Sequence, residues 1–127
     1  MVKSQKVRPT NLDLTTIKQP VSAIASILHR ISGVINFILV GFLLILLDFS
    51  LQSSNNYQSI VSFLHNYFVI FIMWGFLTAL TYHLFAGIRH MLMDLGYFEE
   101  IASGRKSAIV VMIITIIFSL IILGALV

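Results

Sequence analysis

The sequence predicts an all-α integral membrane protein with three transmembrane helices and a cytoplasmic N-terminus. Three observations carry that expectation. Of 127 residues, 58% are apolar and only 10% are charged, a balance that a soluble domain of this size would struggle to keep in solution. The apolar residues gather into three runs, 31–47, 60–88 and 108–127. At about 20 residues per crossing, this length allows three spans and almost no extramembrane domain, which excludes a self-contained soluble catalytic module. Finally, the eight Lys and Arg residues all fall on one side of these runs. Lys3, Lys6, Arg8, Lys18 and Arg30 precede the first, and Arg89, Arg105 and Lys106 lie between the second and third. The positive-inside rule then places the N-terminus and the 89–107 connection in the cytoplasm, with the 51–59 connection and the C-terminus outside.

A single membrane-anchor domain, 1–127, is expected. Its tail, 1–20, is polar and has no apolar core that could serve as a cleavable signal, so it is expected to be retained. Pro20 suits the first turn of a helix, and helix 1 is expected over about 21–50, its apolar run 31–47 interrupted only by Ser32, Asn36 and small glycines. Asp48 closes the run. The stretch LQSSNNYQS (51–59) has the composition of a short loop. Helix 2 is expected over about 60–93, longer than a span needs, so it tilts or its ends emerge among the headgroups. Helix 3 is expected over about 107–127, with Thr115 and Ser119 as the hydroxyl-bearing residues of its apolar run 108–127. Tyr57, Tyr67 and Tyr97 fit interfacial aromatic belts, and Trp74 reads as a packing residue.

Composition narrows the chemistry as well. With no cysteine, the chain holds no thiolate-ligated iron–sulfur cluster, no covalently attached haem and no disulfide. The formal charge of +3 is explained by topology, so nucleic acid is not an expected partner. An ionisable group beside hydrocarbon costs a few kcal/mol or more and needs a partner or a purpose. Two clusters qualify. Ser26, His29 and Arg30, at offsets of three and four, share a helix face at the entrance of helix 1. On helix 2, Ala79 and Gly87 flank His83, Ala86 lies close by, and His90 and Asp94 return to the same stripe, while Arg89 points away.

A histidine with small neighbours one turn above and below leaves a shallow groove for a planar macrocycle. A b-type haem asks for that, together with apolar walls and cations near its propionates. His90 lies about 10 Å from His83 along the axis, so the two cannot serve one iron. His29 is expected near the cytoplasmic boundary, with His83 roughly 9 Å deeper than Arg89. That suits His29 to a propionate and leaves the second axial position to another subunit. His65 is expected a full span away with no special task. The alternative stays open at this point: His83 as a hydrogen-bonded packing residue, Arg89 as a snorkelling anchor, Ser26 bonded back to its own helix, and the methionines as gap fillers.

Two motifs carry a resemblance to a known family. RPTNLDL (8–14) leading to SILHRISG (26–33), and HLFAGIRHMLMDLG (83–96), closely resemble the cytochrome b membrane-anchor subunit of bacterial succinate dehydrogenase, in respiratory complex II. The likeness covers nearly the whole chain, although the 51–59 stretch and helix 3 match in hydropathy alone. The resemblance implies a bundle formed with a second small hydrophobic anchor subunit around a shared haem b, in the bacterial inner membrane. His83 would be one axial iron ligand, and the companion would supply the other histidine. It also implies haem propionates near His29, Arg30 and His90, the haem face at Gly87, and ubiquinone near Ser26 and Arg30. The iron–sulfur and flavoprotein subunits would dock on the cytoplasmic side and deliver electrons from succinate, which this chain does not itself oxidise. A hydroxyl beside a guanidinium suits a quinone, because the charge that develops during its reduction is stabilised there. A fumarate reductase anchor and a non-redox structural anchor are the alternative functions.

Overall fold

The computed structural model describes Asp13 and residues 16–127, so most of the tail, including most of the RPTNLDL motif, lies outside the described residues. Four helices account for nearly all the rest: α1 (Val21–Gln52), α2 (Ser54–Leu64), α3 (Tyr67–Asp94) and α4 (Ile101–Leu126). Among the described residues α1, α3 and α4 are long and apolar enough to cross a membrane. Helices suit that role because every interior backbone amide is satisfied within its own segment. At 1.5 Å per residue, the 32 residues of α1 extend about 48 Å, well beyond the hydrocarbon core.

Polar caps set the breaks. The Pro20 carbonyl accepts the first amides of α1, from Ala23 and Ile24. Where the composition of 51–59 suggests a loop, the structure forms a helix instead. Ser53 alone breaks the chain, and its hydroxyl accepts from the Asn56 amide at 3.1 Å, capping α2. The Ser and Asn residues read as loop formers are thus the cap and first turn of α2. Ile60 to Leu64 belong to this short helix, and Asn66 caps a separate α3 by accepting from the Phe68 amide at 2.9 Å. Phe63 and Leu64 line an apolar pocket together with Leu43 of α1 and Met73 of α3. A short, largely exposed amphipathic helix therefore closes that end of the α1–α3 seam.

At the opposite end, α3 stops in a Schellman motif. The Tyr97 amide bonds the Leu92 carbonyl and the Gly96 amide bonds the Met93 carbonyl, both at 3.0 Å. Gly96 has φ +87°, a left-handed conformation that glycine adopts without a Cβ penalty. The chain then turns through Phe98 into α4 at Ile101, about two turns earlier than the apolar run alone suggests.

α3 is the central element, with α1 on one face and α4 on another. Small residues line both seams, which lets backbones approach closely where lipid gives no hydrophobic drive to associate. The buried stripe of α4 is Gly104, Ala108, Val111, Thr115 and Ser119, and that of α1 is Ala25, Ser32 and Asn36. Polar contacts fasten the α3–α4 seam. Trp74 donates from its indole to the Ser119 carbonyl at 3.0 Å, and the Thr78 and Ser119 hydroxyls meet at 2.9 Å. The larger apolar side chains, such as Phe37 and Leu44, face outward.

Candidate functional site

The α1–α3 seam brings the two sequence clusters together. The His29 and His83 rings stack with centroids 4.3 Å apart and planes inclined by 16°, and the His90 ring lies 5.0 Å from His29. This corrects the expected separation in depth. Counting rise along single helices sets His29 above His83, whereas antiparallel packing of α1 on α3 places them side by side. Rings stacked face to face cannot address opposite faces of one macrocycle, so His29 and His83 could not both ligate a single iron.

Three contacts orient His83. Its Nδ1 lies 3.1 Å from Ser32 Oγ and 3.2 Å from the His29 carbonyl oxygen. A carbonyl can only accept, so the contact with His29 assigns the proton to Nδ1 and leaves the lone pair on Nε2. Gly33 supplies the third constraint. A Cβ built there would meet His83 Cε1 at 3.1 Å, closer than an ordinary contact, so the imidazole lies against the α1 backbone. The small residue that makes room for His83 is thus on the facing helix. Beside Gly87, where the sequence suggests open groove, a Cβ would meet His29 Nε2 at 3.4 Å.

Among the described residues, two buried side chains have polar atoms with no hydrogen-bond partner: His29, at Nε2, and Asn36, at its amide. Buried polar atoms are rarely left so unless water or a ligand completes them. Both observations fit a haem b. The lone pair of His83 Nε2 is the donor an axial ligand needs, held by a carbonyl behind the ring as metal-binding imidazoles usually are. His29 Nε2 is a donor or acceptor awaiting a partner beside it.

The second cluster stands at the first turns of α1. Tyr82, buried on α3, donates its phenol to the Ala25 carbonyl at 2.8 Å and so pins the turn that carries Ser26. Most helical hydroxyls here bond back to their own helix, as Thr81 does to Leu77 and Thr115 to Val111. Ser26 makes no such bond, and its half-buried hydroxyl remains available. Arg30, one turn on, is exposed.

Arg89 departs from the snorkelling anchor considered for it. The residue is only 4% exposed, and its guanidinium donates to Ser107 Oγ at 2.9 Å and to the Gly104 carbonyl at 3.1 Å. It points away from the His83 stripe and turns into the α3–α4 seam, where the small residues of α4 leave room. His65 is exposed at the end of α2, its Nδ1 bonded to the Val61 carbonyl at 2.7 Å. Sequence reasoning missed Ser32, Gly33 and Tyr82 as parts of the site. Ser32 and Gly33 stand inside the SILHRISG motif, and a hydroxyl with a glycine at offsets three and four from His29 was the available signal.

Residues 4–122 match the family model described as succinate dehydrogenase/fumarate reductase transmembrane subunit. The succinate dehydrogenase cytochrome b556 subunit of Coxiella burnetii is 41% identical over 111 residues, covering 87% of this chain and 89% of that protein. The cytochrome b560 subunit of Reclinomonas americana is 38% identical over 120 residues, covering 90% and 83% respectively. That of Marchantia polymorpha is 36% identical over 110 residues, covering 83% and 80%.

Proposed function

The chain belongs to the succinate dehydrogenase/fumarate reductase transmembrane subunit family, and from that premise we propose that it works as the cytochrome b membrane anchor of a succinate dehydrogenase. It is a multi-pass protein of the bacterial inner membrane and one subunit of an enzyme complex. In this reading, His83 Nε2 would hold the iron of haem b together with a histidine of a second small anchor subunit. His29, Arg30 and His90 would hold its propionates, with Gly87 beside its face. The observation that carries the reading is the His83 imidazole, whose Nδ1 is engaged by the His29 carbonyl so that Nε2 keeps its lone pair.

The residues act by holding and orienting. A bound haem b would supply a one-electron relay. Antiparallel α1 and α3 keep the ring of His83 between the α1 backbone at Gly33 and the ring of His29, so little reorganisation accompanies a change of charge beside it. At the entrance of α1, the Ser26 hydroxyl hydrogen-bonds a quinone carbonyl oxygen, and the Arg30 guanidinium stabilises the negative charge that develops there. The quinone's isoprenoid tail stays in lipid. Iron–sulfur and flavoprotein subunits docked at that end supply the electrons from succinate.

Two experiments test this. In the complex purified through this chain, His83→Ala should abolish or strongly alter the reduced-minus-oxidised haem spectrum, and an unchanged spectrum would leave only a tether. Ser26→Ala and Arg30→Leu should impair quinone reduction by about a hundredfold, the scale seen for loss of a preorganised charge-stabilising donor, while succinate oxidation by an artificial acceptor survives. Equal loss of both activities would show failed assembly instead.

A further inference from the structure

We infer that Ser32 is a positioning residue for the iron-ligating imidazole, fixing the orientation of His83 and setting the donor strength of its Nε2. This rests on the reading that His83 ligates haem. Ser32 is 5% exposed, and its single hydroxyl hydrogen is already donated to the His29 carbonyl at 2.8 Å. Toward His83 Nδ1, 3.1 Å away, the oxygen can therefore only accept. The His29 carbonyl lies 3.2 Å from the same nitrogen. Ser32 Oγ, the His29 carbonyl oxygen and His83 Nδ1 thus form a closed triangle in which one imidazole N–H is shared between two acceptors.

The triangle does two things. Both acceptors belong to α1, so together with Gly33 behind Cε1 they fix the ring against one helix while its own backbone belongs to another. The shared N–H also polarises the imidazole. The acceptors pull the Nδ1 proton away from the ring, which leaves more negative charge on the imidazole and strengthens Nε2 as a donor, and a stronger donor favours ferric over ferrous iron. With the hydroxyl removed, Nδ1–H keeps only the carbonyl, a weaker donor results, and the reduction potential rises.

The test is a redox titration of the haem in the intact complex carrying Ser32→Ala, Ser32→Thr or His83→Ala. The expected result for Ser32→Ala is retained haem with the ferrous form favoured by roughly threefold to tenfold, the upper figure being about 59 mV for a one-electron couple. Ser32→Thr keeps the hydroxyl and should return the potential to that of the wild type. Loss of haem in Ser32→Ala with retention in Ser32→Thr also supports the inference, since it ties binding to the hydroxyl. An unshifted potential in Ser32→Ala overturns it. So does an equal shift, or equal haem loss, in both serine variants, because packing would then be the cause. If His83→Ala leaves the spectrum unaltered, the haem reading fails and this inference falls with it. A disrupted spectrum in His83→Ala beside an unmoved potential in Ser32→Ala refutes the role of Ser32 alone.

Discussion

Replacing Gly33 by alanine should be costly at a position where helix propensity alone would make it favourable. A Cβ at Gly33 falls 3.1 Å from His83 Cε1 and 3.6 Å from Nδ1. Comfortable carbon–carbon contact begins near 3.5 Å, so the ring must retreat from α1 by about 0.4 Å. Both of its Nδ1 acceptors are on α1, at 3.1 and 3.2 Å, so the same movement stretches both bonds toward the limit of hydrogen bonding. At about 0.5–1.5 kcal/mol each, their loss costs about 1–3 kcal/mol. Against that stands the gain of about 0.8–1 kcal/mol for alanine over glycine in a helix. Gly41, two turns on in the same helix, has nothing within 4 Å of its would-be Cβ and provides the control. Gly41→Ala should collect the propensity gain alone. The two variants should therefore differ by about 1–3 kcal/mol, with Gly33→Ala the less stable. Thermal denaturation of the detergent-solubilised complex, with the haem spectrum recorded in parallel, measures the difference. A Gly33→Ala complex as stable as Gly41→Ala, with an unaltered spectrum, would refute the packing argument.

Arg89→Ala removes two charge-assisted hydrogen bonds that join α3 to α4 and should lower stability by about 3–6 kcal/mol. Arg89→Lys, which lacks the planar fork, should recover only part of it. A denaturation midpoint unmoved by either change would mean that the guanidinium points into water. At the end of α3, Gly96→Ala forces a Cβ onto a residue at φ +87° and should cost about 1–2 kcal/mol. Gly124→Ala, in open space within α4, should be neutral or slightly stabilising by the same denaturation assay, and equal midpoints for the two would argue against the left-handed turn.

Much of the fold was legible because the bilayer imposes a coarse rule. Three apolar runs of sufficient length must become helices, as they do at α1, α3 and α4. The 51–59 stretch was misjudged because Ser and Asn serve loops and helix N-termini alike, and only the Ser53 side-chain bond to Asn56 distinguishes them. The face of α3 was readable from its 3.6-residue period, which puts His83, Gly87 and His90 on one side and Arg89 on another. The fate of Arg89 was not readable. Whether a guanidinium reaches water or a neighbouring helix depends on the room beside it, and that room is made by Gly104 and Ser107 on a different element.

The sequence by itself determined the number of spans, the sidedness of charge and the residue types able to meet a haem or a quinone, since these follow from transfer free energies and helical period within single segments. Tertiary structure alone decided that His29 stacks on His83, that Ser32 and the His29 carbonyl hold its Nδ1, and that Gly33 makes the room. Those contacts join residues fifty or more positions apart. Their register is set by how two antiparallel helices pack small residue against ring, a relation that no periodicity within one helix encodes.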